Sequence, residues 1–207
     1  MSDDPPAERI SGVSGTGVPI RGNDVDTDQI LPARFMKVVT FEGLGAYAFY
    51  DQRVENDDHP FEADQFREGS ILAVNQNFGS GSSREHAPQA LMRWGIDGLI
   101  GESFAEIFRG NCLSLGLPTV TTDGETVQEI QDWIEAHPDE EIEIDVANAT
   151  VTYGDRTIDV QVDDAQQRAL TEGTWDTTAV MRANFDAVRE RAASLPYVPD
   201  DAVPEER

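Results

Sequence analysis

Short apolar runs and helical spacings alternate through the first two thirds of the chain. Residues 70–74 (SILAV) carry an unbroken apolar run, the signature of a short strand covered on both faces. Ala87, Ala90, Leu91 and Trp94 then recur at helical spacing until Gly95, which suits the C′ position of a helix. Residues 98–100 predict a second strand. Ser103 and Glu106 have the spacing of a capping box and open a predicted helix with Phe104, Ile107 and Phe108 on one face. Residues 117–120 predict a third strand, and the alternation of strands with helices implies a parallel α/β unit.

The pattern then changes period. After a predicted helix over 127–136, Ile142, Ile144 and Val146 alternate with acids, and 151–153, Gly154-Asp155 and 156–160 read as a hairpin with a glycine-first two-residue turn. Asp163 or Asp164 is placed to cap a helix running to Gly173. Thr177 or Thr178 is placed to start a last helix, with Val180, Met181, Phe185 and Val188 at helical spacing. The expectation is a single α/β domain over residues 1–207, of β/β/α type, with a parallel central sheet, a second antiparallel sheet and flanking helices. Residues 1–9 and 196–207 read as solvated tails.

Composition changes this picture in one respect. The 207 residues hold 15 Lys+Arg against 40 Asp+Glu, a formal net charge of -25. That excludes a surface built for phosphate backbones. Lys37 is the only lysine, and the acids are spread along the chain, as expected of a protein from a very salty, halophilic-type cytosol where a Debye length of roughly 3 Å screens like charges. No window of 18 apolar residues exists, and the acidic start MSDDPPAER is the opposite of a signal or transit sequence, so a cytoplasmic location is expected. Cys112 stands alone, and a single thiolate forms no internal disulfide and holds no zinc or iron–sulfur cluster without ligands from elsewhere.

Candidate chemistry gathers in residues 75–88 (NQNFGSGSSREHAP), a glycine-rich turn between a predicted strand and a predicted helix. Such a turn collects unpaired backbone N–H groups, and here it also presents Ser82, Ser83 and Arg84, a set suited to a carboxylate or phosphate. Pro88 as the first helical residue leaves Ser82 in an exposed loop. The alternative makes Ser82 a helix cap, boxed with Glu85 and with Pro88 inside the helix.

These residues resemble the hallmark of the aconitase-type swivel domain, in its free-standing form as the small subunit of isopropylmalate dehydratases. Residues 23–34 (NDVDTDQILPAR), 49–53 (FYDQR) and 103–111 (SFAEIFRGN) resemble three further motifs of that family in order and spacing, and the likeness runs from Gly12 to Phe185. Ser80 departs from it, since many relatives carry cysteine there.

The resemblance implies a swivelling domain and the isomerisation of 2-isopropylmalate to 3-isopropylmalate through 2-isopropylmaleate, in leucine biosynthesis. It assigns Ser82 as the base and Ser83 and Arg84 as binders of the substrate carboxylate. Asp28 joins the active site by fixing a catalytic histidine of a larger partner. Asp26, Thr27, Gly79, Gly81, Glu85, His86 and Asn111 are expected in support, although Asp26 and Thr27 read equally as a turn before a helix. Glu85 is expected to pair with an arginine or cap its helix, and His86 to sit inside and orient the loop. Val38, Val39 and Phe41, with Leu44, are expected to wall the isopropyl group, core packing being the alternative for each. His59 and His137 are expected on the surface. The resemblance places a [4Fe-4S] cluster on a large partner subunit and none on this chain, in a heterodimer or dimer of heterodimers. A sister hydratase acting on 2-methylmalate, homoaconitate or aconitate, and a non-catalytic binding module, are the competing readings.

Overall fold

The run GVSGTGVPI, to which the periodicity assigns no element, forms the longest strand and the centre of the fold: β1 spans Gly12–Ile20. The computed structural model describes residues 6–37, 40–81 and 83–197. Strands β2 (Ile71–Val74), β3 (Gly98–Gly101), β4 (Thr119–Thr121), β5 (Glu141–Asp145), β6 (Thr150–Tyr153) and β7 (Arg156–Asp159) follow. They lie in the order β4-β3-β2-β1-β5-β6-β7. The far half of β1 pairs in parallel with β2, Gly17 opposite Ile71 to Ile20 opposite Val74. Its near half pairs antiparallel with β5, Gly12 opposite Asp145 to Thr16 opposite Glu141. The expected parallel and antiparallel sheets are both present, and they share this one strand.

Its glycines follow from that position. A Cβ on Gly17 would lie 2.5 Å from the Ile134 side chain, so a larger residue would push the covering helix off the strand. That helix, α5, belongs to a set of eight among the described residues: α1 (Thr27–Ile30), α2 (Tyr50–Glu55), α3 (His86–Trp94), α4 (Glu106–Ser114), α5 (Gly124–Ala136), α6 (Asp164–Glu172), α7 (Thr177–Ala183) and α8 (Phe185–Ala193). β2 and β3 are buried along their whole length, whereas β5 alternates exposed acids with buried isoleucines. Asp123, Asp163 and Asp176 cap α5, α6 and α7 with side-chain oxygens, and Gly173 ends α6 at a left-handed φ of 70°.

Four local expectations are corrected. α3 begins at His86 with Glu85 as a cap residue that makes no side-chain cap bond, so Pro88 is its third residue. The proline still falls in the first turn, where its missing N–H leaves no bond unmade. Ser103 caps nothing, because α4 starts at Glu106 after Ala105, and the exposed Ile107 leaves the apolar face to Phe104 and Phe108. The last predicted helix is two, divided at Asn184, whose φ of -112° and ψ of 27° break the repeat. His59 is buried rather than on the surface, its ring against Phe49 and Phe61. At the amino end, Ala7 N–H donates to Gly173 O, Ile10 N–H donates to Leu170 O, and Glu8 O accepts from Trp175 Nε1, which ties this segment to the end of α6. No helix among the described residues is long and apolar enough to cross a membrane.

Candidate functional site

Three loops leave the carboxyl ends of β1, β2 and β3 side by side, the position where open α/β sheets place their ligands. Their starting points are fixed by Gln131 of α5, fully buried, whose amide nitrogen lies 3.1 Å from both Ile20 O and Ala73 O and 3.2 Å from Asn75 Oδ1. Asn75 Oδ1 also accepts from the Gly22 N–H.

From there the loops after β1 and β2 are joined along their length. Asp24 N–H donates to Gln76 O, Asn77 Nδ2 to Asp24 Oδ1, Gly79 N–H to Val25 O and Thr27 N–H to Ser80 O. On the other flank Asn77 N–H donates to Ser103 Oγ at 2.8 Å, and Phe78 exchanges backbone bonds with Ser103 and Ala105. Ser103 is thus engaged across the loops, the physical reason it is no helix cap. The strain of this arrangement is local: Asp24 and Asn77 adopt φ of 59° and 56°. Gly79, at φ 79°, presses so closely on α4 that a Cβ would lie 2.2 Å from the Phe108 ring.

The expected site residues fall as follows. Asp26 caps α1 in a capping box, accepting from Gln29 N–H and donating its own N–H to Gln29 Oε1, both at 2.8 Å, so its carboxylate serves the turn. Thr27 is buried, and Asp28 is exposed on the first turn of α1. Gly79 and Gly81 shape the loop, Gly81 at φ 101° with Thr27 Oγ1 and Asp26 next to it. Ser82 lies outside the described residues. Ser83 and Arg84 are both exposed. Asn111 of α4 donates to Ser83 O at 3.2 Å, tying the loop to that helix. Arg84 Nη1 donates to Met36 Sδ at 2.8 Å, which sets the guanidinium against residues 33–37, a 3-10 turn. Glu85 accepts from Gln89 Nε2 one helical turn on, and pairs with no arginine among the described residues.

The wall expected for the isopropyl group is only partly described, since Val38 and Val39 lie outside the described residues. Phe41 stands with its ring edge-on to His86, centroids 5.2 Å apart, and with the Arg93 guanidinium over it at 5.6 Å. His86 Nδ1 is buried without a hydrogen-bond partner among the described residues. Leu44 is fully buried in the core, where its packing role suffices. The segment holding Phe41 is clamped at its base. Arg53 donates to Ala46 O and Ala48 O and pairs with Glu62 at 2.5 Å, and Arg34 pairs with Asp51. Phe35 stacks on Tyr47 with centroids 4.2 Å apart.

Sequence reasoning missed Gln131, Asn75, Ser103, Met36 and Arg53. Arg53, Asn75 and Ser103 carried a signal, their places in the FYDQR, NQNFGSGSSREHAP and SFAEIFRGN runs; Gln131 and Met36 act across chain separations that no local pattern reveals. A cavity of about 540 Å³ between Ile20, Arg21, Val25, Gln52, His59 and Glu135 contains none of the expected site residues. Arg21 beside it is already paired with Asp132 and Glu135. Burial of His59 holds its imidazole neutral, with a pKa lowered to about 4 by desolvation first and nearby Arg53 second.

The donor set does not fit a metal cluster. No group of three His, Cys, Asp or Glu able to hold a metal ion occurs among the described residues. Cys112 is fully buried, which pushes its thiol up and away from the thiolate that a cluster needs.

Residues 7–125 match the family model described as the aconitase C-terminal domain. The chain is 45% identical to the 3-isopropylmalate dehydratase small subunit of Synechocystis sp. over 191 residues, covering 92% of this chain and 96% of the relative. It is 45% identical to the subunit of the same name from Thermus thermophilus over 194 residues, with the same shares covered. The fold is similar to the crystal structure of a 3-isopropylmalate dehydratase from Methanocaldococcus jannaschii, with a TM-score of 0.66 at 22% identity over 86% of this chain and 99% of that one.

Proposed function

The chain belongs to the family of 3-isopropylmalate dehydratase small subunits, and from that premise we propose that it is one half of a hydro-lyase interconverting 2-isopropylmalate and 3-isopropylmalate. The reaction runs by dehydration and rehydration through 2-isopropylmaleate. Removing a proton from carbon beside a carboxylate drives negative charge onto that carboxylate, so the site needs a base on one side and fixed donors on the other. Ser82 is the proposed base. Ser83 and Arg84 are the proposed carboxylate binders, and Arg84 offers two parallel N–H donors.

The observation that carries this reading is the placing of exposed Ser83 and Arg84 at the amino end of α3, with Asn111 holding the one and Met36 the other. The helix end adds partial positive charge where the substrate carboxylate would lie. Phe41 offers an apolar ring next to this end, which supports an isopropyl-bearing substrate. Asp28 is proposed to orient a histidine of the partner, and departure of the hydroxyl calls for a Lewis acid, a [4Fe-4S] cluster held on this reading by a large subunit in a heterodimer. The charge of -25 supports a salt-rich cytoplasm as the setting, with melting temperature rising from 0.1 M to molar salt as the check.

The test is reconstitution. The chain mixed anaerobically with its large subunit is expected to turn over 2-isopropylmalate, while the chain alone does not. Activity of the chain alone overturns the two-subunit reading. Turnover of 2-methylmalate or a tricarboxylate in place of 2-isopropylmalate assigns a sister hydratase.

A further inference from the structure

α7 and α8, like the shorter α2, bury no residue, although they carry apolar residues at helical spacing: none of the described residues 177–195 belongs to the core or packs against it. On α8, Phe185, Val188 and Ala192, continued by Leu195 just past its end, follow one another at spacings of three and four, the repeat of a helix seam made to meet another helix, while Met181 lies on α7 across the break at Asn184. Met181 is 58% exposed and Val188 44%. Val188, Ala192 and Leu195, with Ala187 and Arg191, line an open groove along α8. Helices this short are marginal in water unless such a face is covered.

The charges beside the seam say what covers it. Arg189 follows a seam residue of α8 and Arg191 precedes one, so two arginines border this strip, with Arg182 beside Met181 on α7. Asp186 and Glu190 take outer positions. Two copies of the arm laid seam to seam would set arginine against arginine, which disfavours self-pairing. A second copy offers no strip of comparable length: outside the arm and Tyr197, the exposed large apolar side chains among the described residues are Tyr50 and Val54, one turn apart on α2, and Ile107 on α4.

We propose that the α7–α8 arm is a docking element for the large subunit and seats on an apolar helix face bordered by carboxylates. This rests on the two-subunit reading above and assigns the arm to assembly rather than chemistry.

The experiment measures binding and turnover of the reconstituted pair separately. Val188→Glu places a charge in the seam, the double variant Arg189→Glu/Arg191→Glu reverses its border, and Glu190→Gln on the outer face is the control. Each of the first two is expected to raise the Kd for the large subunit by roughly tenfold or more. The kcat at saturating large subunit and the thermal unfolding of the isolated chain stay unchanged, and the control binds as wild type. Unchanged Kd in both seam variants overturns the proposal, as does a wild-type chain that fails to bind the large subunit. An isolated chain that sediments as a dimer and is split by Val188→Glu overturns it in favour of a second copy. A wild-type pair that binds but leaves 2-isopropylmalate untouched rejects the substrate reading alone, and a raised Kd in the variants then still supports docking.

Discussion

The two halves of the sheet meet in β1 and differ in what their loops do. In the parallel half, β2 and β3 are buried on both faces, and the chain leaving their carboxyl ends is cross-bonded into a platform for Ser83 and Arg84. In the antiparallel half, β5 shows Glu141 and Glu143 to solvent, and a two-residue turn joins β6 to β7 with no candidate chemistry on it. One half spends its connections on a site, the other on closing the core. Parallel strands need long crossovers, and long crossovers have room to carry function; tight hairpins do not.

The sharpest way to break this contrast is Ser82→Ala. If the platform is catalytic, kcat of the assembled enzyme falls by about 10³-fold or more, with assembly and substrate affinity nearly intact. If the serine takes no part in the chemistry, kcat stays. Stopped-flow or steady-state assays on the reconstituted pair separate the two.

The same substitution in each half comes next. Gly79→Ala drives a Cβ into the Phe108 ring at 2.2 Å from a left-handed backbone, and is expected to cost roughly 2–4 kcal/mol with loss of activity. Gly154→Ala in the β6–β7 turn, also left-handed at φ 53°, meets the Trp133 ring, nearest at Nε1, 3.1 Å away. It is expected to cost about 1–2 kcal/mol and to leave kcat alone. Urea unfolding paired with activity reads both. Equal loss of activity from the two would dissolve the distinction between the halves.

His59 tests the aromatic packing beside the parallel strands. Between pH 6.5 and about 4 the unfolded chain takes up a proton that the buried imidazole refuses, so its contribution to stability falls as pH falls and levels off below the folded value. The whole window is worth about 3 kcal/mol. His59→Gln is expected to remove that part of the slope, seen as the difference between wild-type and variant unfolding curves from pH 7 to 4. Parallel curves would place the proton elsewhere. The smallest effect expected is Arg84→Lys, which keeps the charge and loses the twin donors: kcat/KM drops roughly 10- to 100-fold, with KM raised and kcat lowered together.

Much of the parallel half was legible because its signals are local. The SILAV run is β2 with one residue trimmed, and Gly95 closes α3 as its spacing indicates. β1 was illegible for a physical reason: glycine and proline normally speak against a strand, yet here Gly17 admits Ile134. Ser103 misled because its hydroxyl answers Asn77 rather than its own helix, and His59 because the rings that bury it are assembled by the fold. In the candidate site, the motif nominates residues while their supports are not legible. Arg84 announces itself in its motif, but nothing near Met36 says that its sulfur meets a guanidinium. Asp26 showed the limit of motif reading, since a local capping box accounts for its carboxylate.

The sharing of β1 also sets a timetable for synthesis. The far half of this strand finds its partner once β2 has left the ribosome, but the near half, Gly12–Thr16, waits for Glu141–Asp145. At ~5–20 residues per second that wait is on the order of ten seconds. Pairing across such a stretch is slow because a long loop must close before its contacts repay the ordering. The candidate platform is therefore encoded before the strand beneath it has both neighbours, and the nascent chain carries a half-open central edge until its second half is made.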